Sequence, residues 1–341
     1  MLNANGRKNY TASGNAQAED LIDSVLSEMA DTLQSTGLSV YLGGSYGRGE
    51  GGVRQDTENG VLYNDLDFFV FARKVDKKAG VLLQEIAEKY EKLLKVDVDF
   101  SKVMSVKEIK RNAKRLMMQE LKRGYRLVCG EDLLAEYLPE LPAEKLPFSE
   151  ACRLLLNRGM GLLFAGEKIS QKSGDTDFIL RNIYKAILGS VDAMLIAQNS
   201  YRWKIADRLE LVEKSEMLEL YKELYREAVA FKQFPHRKQK PDMKSFWNTV
   251  RDLFRAAVVR CAQTNDVHCG ILNRCYQSGE VSLANYIKYC IKSRSLPLVA
   301  WNYYAMPTVA VLAVNVDIYL SEMPEKIDRH GELYQHWLKF N

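Results

Sequence analysis

The chain has 341 residues, of which 47% are hydrophobic and 27% charged. That length exceeds one ordinary core and suits two domains, while the apolar fraction excludes general disorder. The net charge of +4, from 48 basic and 44 acidic residues, is too mild for a histone-like binder of nucleic acid.

The first seventeen residues are polar and lack the apolar core of a signal peptide. Helical spacing of Leu21, Ile22, Val25, Leu26, Met29 and Leu33 predicts a helix over 18–33, stopped near Gly37. Leu38–Leu42 reads as a short strand ending at Gly43-Gly44. A glycine-rich polar stretch runs to Asn64, and LDFFVFA (66–72) is a second strand, apolar enough to be central in a sheet. A helix is predicted over 81–94. Val96–Phe100 alternates strictly and is a third strand with Asp97 and Asp99 on one face. A basic amphipathic helix is expected over 106–121, and a fourth strand over 125–129.

Pro139, Pro142 and Pro147 then punctuate a connector. Beyond it the pattern is helical: 149–164, 177–199, 217–234, 243–261, 282–292, and more after Pro297. The expected organisation is α+β, with a mixed sheet and flanking helices over 1–138 and an all-helical domain over 148–341. Leu296–Val316 carries no charged side chain and is about long enough to span a bilayer. Pro297 and Pro307 interrupt it and Asp317 follows at once, so two short buried helices are expected instead of a membrane span. Six dispersed cysteines suit reduced thiols and a cytoplasmic setting.

Three features of the first domain carry chemistry. Gly43-Gly44-Ser45 after a strand allows close backbone approach and, with the serine hydroxyl, forms a nest for phosphate. Asn64-Asp65-Leu66-Asp67 puts two carboxylates on one face at the mouth of the sheet, where they repel unless a cation sits between them. Such hard oxygen ligands hold Mg²⁺ together with substrate phosphates. Asp97 and Asp99 occupy one face of the next strand, costly unless they meet solvent or a cation. Each feature alone has a bland alternative: a turn, aspartates capping a strand entry, an edge strand with a wet face. Together they describe a two-metal phosphoryl-transfer site.

Gly44-Ser45, Asp65-x-Asp67, and Asp97 or Asp99 resemble the signature of the DNA polymerase β-like nucleotidyltransferase superfamily. The string Gly43-Gly44-Ser45-Tyr46-Gly47-Arg48-Gly49-Glu50 also looks like the GGxGRGE turn of bacterial protein uridylyltransferases. The resemblance covers about the first 135 residues. It implies two Mg²⁺ ions on Asp65, Asp67 and a third carboxylate, with Gly44, Ser45 and Arg48 on a nucleoside triphosphate. Asp97 is favoured as the third ligand because two aliphatic residues flank it, and Asp99 is the alternative. In related enzymes helices after the catalytic domain supply a lysine to the triphosphate and an aromatic residue to the base. The segment 180–188 with Tyr201 beyond it is similar, which points to Lys185, with Arg181 on the same face; a solvated basic face is the alternative. The interval from Ser45 to Asp65 is long, with 51–63 as the excess, either a flap over the nucleotide or an idle surface loop.

The function expected is transfer of a nucleoside monophosphate to a hydroxyl of a small molecule or protein, releasing pyrophosphate. An RNA- or nucleotide-directed transferase making an oligonucleotide signal is a second expectation, with nucleic acid a possible but unfavoured partner, and an inactive antitoxin-like binding module a third. Residues 222–260 hold ten basic and four acidic side chains, which suits either an acidic or RNA partner or a solvated loop. His268, Cys269, Cys275 and Cys261 lack the paired spacing of a zinc site, and none of the four histidines lies near a plausible nucleophile.

Overall fold

The computed structural model describes residues 9–54, 61–74, 79–236, 238, 240–280, 283–284, 287, 316–317, 319–321 and 323–338. The chain forms two compact units, Met1–Leu141 with Ala230–His236, and Pro142–Val229 with Arg237–Asn341.

The first unit is α+β. Helix α1 (Ala16–Leu33) begins where Asn15 Oδ1 accepts the Ala18 N–H at 2.9 Å, satisfying a donor the first turn leaves over. Strand β1 (Ser39–Leu42) follows, then the single turn α2 (Gly44–Gly47) and the hairpin β2 (Val53–Arg54) and β3 (Val61–Leu62). Strand β4 (Leu66–Ala72) leads through α3 (Ala79–Leu94) to β5 (Val98–Phe100) and β6 (Met104–Ser105). Helices α4 (Val106–Asn112) and α5 (Leu116–Arg123), strand β7 (Arg126–Cys129) and helix α6 (Leu133–Tyr137) complete it. The sheet order is β5-β4-β1-β7, with β6 also on β4. Both β5 and β6 run parallel to β4, whereas β1 is antiparallel to β4 and β7.

Alternation sorts the sheet into two cores. Val40, Leu42, Phe68 and Val70 face α1 and α3, meeting Ile22, Met29, Ile86 and Tyr90. Tyr41 and Phe71 face the other way, onto Ile109, Met118, Leu121 and Leu134 from α4, α5 and α6.

The helix expected over 106–121 is two helices. Ile109 and Met118 are nine positions apart, so a straight helix would turn them about 180° from one another. Both belong to one core, and the turn at 113–115 makes that possible. Gln119 holds the break: its Nε2 donates to Ala113 O (2.6 Å) and Pro139 O (2.9 Å), and its Oε1 accepts from Leu141 N (2.8 Å) and Arg123 Nη1 (2.8 Å). The third strand also starts later than expected, at Val98.

The second unit is helical: α7 (Phe148–Ser170), α8 (Thr176–Ala197), α9 (Ile205–Lys214), α10 (Lys222–Gln233), α11 (Met243–Ala262) and α12 (Val267–Gln277). The last residues of α10 belong with the first unit. Trp247 of α11 is fully buried and donates Nε1–H to Leu162 O of α7 at 2.8 Å. The helix expected from residue 217 opens as a 3-10 helix, Glu216–Tyr221, and becomes α-helical only at Lys222. Helices α9 and α12 were not expected; both are short, and the buried face of α9 includes Arg208 between Ile205 and Val212, which masks its period. Most of the expected helix 282–292 and of the stretch 296–316 lies outside the described residues. Among the described residues no helix is long and apolar enough to cross a membrane.

Candidate functional site

Strands β4 and β5 pair with Leu66 opposite Val98, Asp67 opposite Asp99, and Phe68 opposite Phe100. Leu66, Phe68 and Val98 are buried, and the Phe68 and Phe100 rings stack at 4.9 Å. Side chains alternate along a strand, so Asp67 and Asp99 take the opposite face. The Leu66 N–H donates to Asp97 O at 2.9 Å, which fixes Asp97 beside the entry to β4. Asp65, Asp67, Asp97 and Asp99 therefore gather on one side of a two-strand edge. Asp97 and Asp99 are exposed, Asp65 and Asp67 half-buried. Partial desolvation, then the charges of Asp65, Asp97 and Glu91, raise the Asp99 carboxyl above the ordinary aspartate value. Among the described residues no three Asp, Glu, His or Cys side chains converge as a cage for a metal ion.

The glycine turn lies against this acidic face. Gly43 donates its N–H to Asp67 O at 2.8 Å. Gly44 has φ +59°, and a Cβ there would lie 2.0 Å from Asp67 Oδ2. Only glycine tolerates both the left-handed backbone and that approach. At Gly43 the obstacle is different: a Cβ would strike Phe69 at 2.6 Å and Leu121 at 2.7 Å. Ser45 follows, half-buried, and its carbonyl accepts the Glu50 N–H at 2.9 Å.

Arg48 is held by carboxylates, Glu50 at 3.4 Å and Glu120 at 3.5 Å. Glu50 also pairs with Lys232 at 2.9 Å. Lys232 comes from the segment 230–236 that completes the first unit, and nothing in its local sequence marks it for this position. Phe231 of the same segment meets Tyr63 edge-on, with ring centroids 5.9 Å apart. The excess 51–63 forms the β2–β3 hairpin, its residues 55–60 lying outside those described.

In the second unit Lys185 and Arg181 are both half-buried on α8. Tyr201, expected as an aromatic partner for a base, is only 1% exposed. It accepts a hydrogen bond from Arg208 Nη1 at 3.1 Å and is a core residue. Much of the basic stretch 222–260 is neutralised locally. Lys222 pairs with Glu219, Arg226 with Glu213 and Glu223, Lys240 with Glu227, Arg251 with Asp252, and Arg255 with Asp317. Cys129, Cys152, Cys261 and Cys275 are buried free thiols. Compared with known proteins, the chain matches no family model, no curated protein and no solved structure at a significant level.

Proposed function

We propose that the first unit is a nucleotidyltransferase domain of the DNA polymerase β-like kind. It would move a nucleoside monophosphate from a triphosphate to a hydroxyl acceptor and release pyrophosphate. The observation that carries this reading is the contact between Gly44 and Asp67, with Asp99 opposite Asp67 in register. The β1–β4 register, with Leu42 opposite Phe68, sets the turn beside Asp67, and what supports the reading is the phosphate-type character of the turn brought against the acidic pair.

These residues suit Mg²⁺ by their donor chemistry rather than by a preformed cage among the described residues. They offer hard carboxylate oxygens, an Asp99 carboxyl raised by partial burial and then by neighbouring like charges, and a cradle at Gly44 that any Cβ would fill. Asp65 and Asp67 would hold the ion, with Asp99 favoured over Asp97 as the third carboxylate because of the register. Bound there, Mg²⁺ would supply positive charge against the triphosphate. Gly44 and Ser45 would contact phosphate oxygens. Asp99 would accept the proton of the acceptor hydroxyl. The acceptor oxygen then bonds to the α-phosphorus as its bond to the bridging oxygen breaks, and pyrophosphate leaves. The reduced cysteines suit a cytoplasmic setting. Incubation with each of the four NTPs and Mg²⁺, reading pyrophosphate and mass-shifted products, tests the proposal. Release of pyrophosphate supports it; none with any nucleotide, together with a stable protein partner, would make the protein a binding module.

A further inference from the structure

Tyr46 is the side chain that joins the glycine turn to the entry of β4. It stands on α2, one residue after Ser45, and is fully buried. Its hydroxyl donates to Gly52 O at 3.0 Å and accepts the Tyr63 N–H at 3.1 Å. The same Tyr63 N–H also reaches Gly52 O at 3.1 Å. Gly52 N–H in turn donates to Asn64 Oδ1 at 2.7 Å. Both feet of the β2–β3 hairpin are thus tied to one phenol, and the residue immediately before Asp65 is tied to the same foot. The space is tight. A Cβ on Gly51 would lie 2.1 Å from the Tyr46 ring, and one on Gly52 would lie 3.1 Å from Lys232 O and from Pro235 Cδ. The hairpin base is therefore held between Tyr46 and the segment 230–236.

A phenylalanine would fill the same volume, so packing alone does not account for the hydroxyl. Buried polar atoms with complete partners specify one arrangement rather than several. We infer that Tyr46 and Asn64 are positioning residues: through Gly52 and Tyr63 they set where Asp65 stands relative to the Gly44–Ser45 turn. This rests on the nucleotidyltransferase reading for its consequence, since a displaced Asp65 would spoil chemistry while leaving nucleotide contacts at the turn in place.

The test uses the full chain with Tyr46→Phe and, separately, Asn64→Ala, in case the first fails to fold. Amide hydrogen exchange is measured without nucleotide, alongside kcat and KM for the NTP that the wild type uses. Exchange at Gly52 and over 61–67 should quicken about fivefold or more in both variants, the effect of losing one net hydrogen bond, while α1 and β1 keep their protection. At saturating nucleotide, kcat should fall about tenfold, equivalent to that bond and the misplaced carboxylate together, with KM changed far less. Unchanged kcat despite local loosening would overturn the inference. So would exchange that rises throughout the unit, which is the signature of ordinary destabilisation. A wild type without turnover shows that the protein is not a nucleotidyltransferase. The exchange pattern then still decides whether Tyr46 and Asn64 hold Asp65.

Discussion

A side-chain carbon on Gly44 would lie 2.0 Å from Asp67 Oδ2, so the glycine turn and the acidic strand are built to touch. Gly44→Ala would force both a left-handed alanine and a displaced carboxylate. Backbone strain of this kind costs about 1–3 kcal/mol, and the variant should lose that much stability in a urea titration. It should also lose turnover. A Gly44→Ala protein with wild-type stability would mean that the turn does not press on Asp67.

Asp67 faces Asp99 across the β4–β5 pair, whereas Asp97 sits outside the strand and is anchored through its backbone. Asp99→Asn should abolish turnover, and Asp97→Asn should reduce it only modestly. Neither should lower the melting temperature much, because removing one of several like charges relieves repulsion. If only Asp97→Asn destroys activity, the flanking aliphatic residues and not the strand register identify the third carboxylate.

Gln119 is only 1% exposed and closes the α4–α5 break with four hydrogen bonds. Gln119→Ala leaves the Leu141 N–H and two carbonyls in search of partners. These groups are only partly buried, so each lost hydrogen bond is worth about 0.5–1.5 kcal/mol, and chemical denaturation should show a loss of about 1 kcal/mol or more. A loss under about 0.5 kcal/mol, the usual range for a harmless surface change, would show that the break does not depend on the glutamine.

In the second unit burial pushes the Glu167 carboxyl up, but hydrogen bonds from Arg329 and from the Ile327 N–H outweigh it and hold it below its ordinary value of 4.5. A carboxyl lowered on folding contributes stability above its unfolded value, and that contribution is lost as pH falls through the folded one. The wild type should therefore lose more stability than Glu167→Gln as pH falls from neutral through the ordinary glutamate range and below it. Parallel pH curves for the two proteins would show that the pair contributes nothing to acid sensitivity.

Several of these features were legible in the chain. LDFFVFA marked β4 with its observed ends, because a run apolar but for Asp67 and bounded by Asn-Asp and Arg-Lys has few other homes. Alternation placed Asp65 with Asp67 and Asp97 with Asp99. The parallel pairing that brings the two sets together depends on α3 returning the chain, and local sequence does not set its register. Gly44 was visible as part of a motif, but its reason, Asp67 Oδ2, is a tertiary contact. The break at 113–115 was hidden because apolar spacing continues across it; only the core shared by Ile109 and Met118 reveals it. Lys232 was hidden by distance, 182 positions from Glu50. Tyr201 was misread because an aromatic residue beyond a basic helix looks alike whether it is wet or buried.

Nucleotidyl transfer on the acidic face against Gly44 is the proposed activity of this protein. Its most direct measurement is pyrophosphate release by the wild type and Asp67→Asn across the four NTPs with Mg²⁺, with melting temperatures recorded for both. Release by the wild type with at least one nucleotide, and its loss in a variant that melts normally, is the predicted result. Equal release by both proteins, or none by the wild type with any nucleotide, would contradict it.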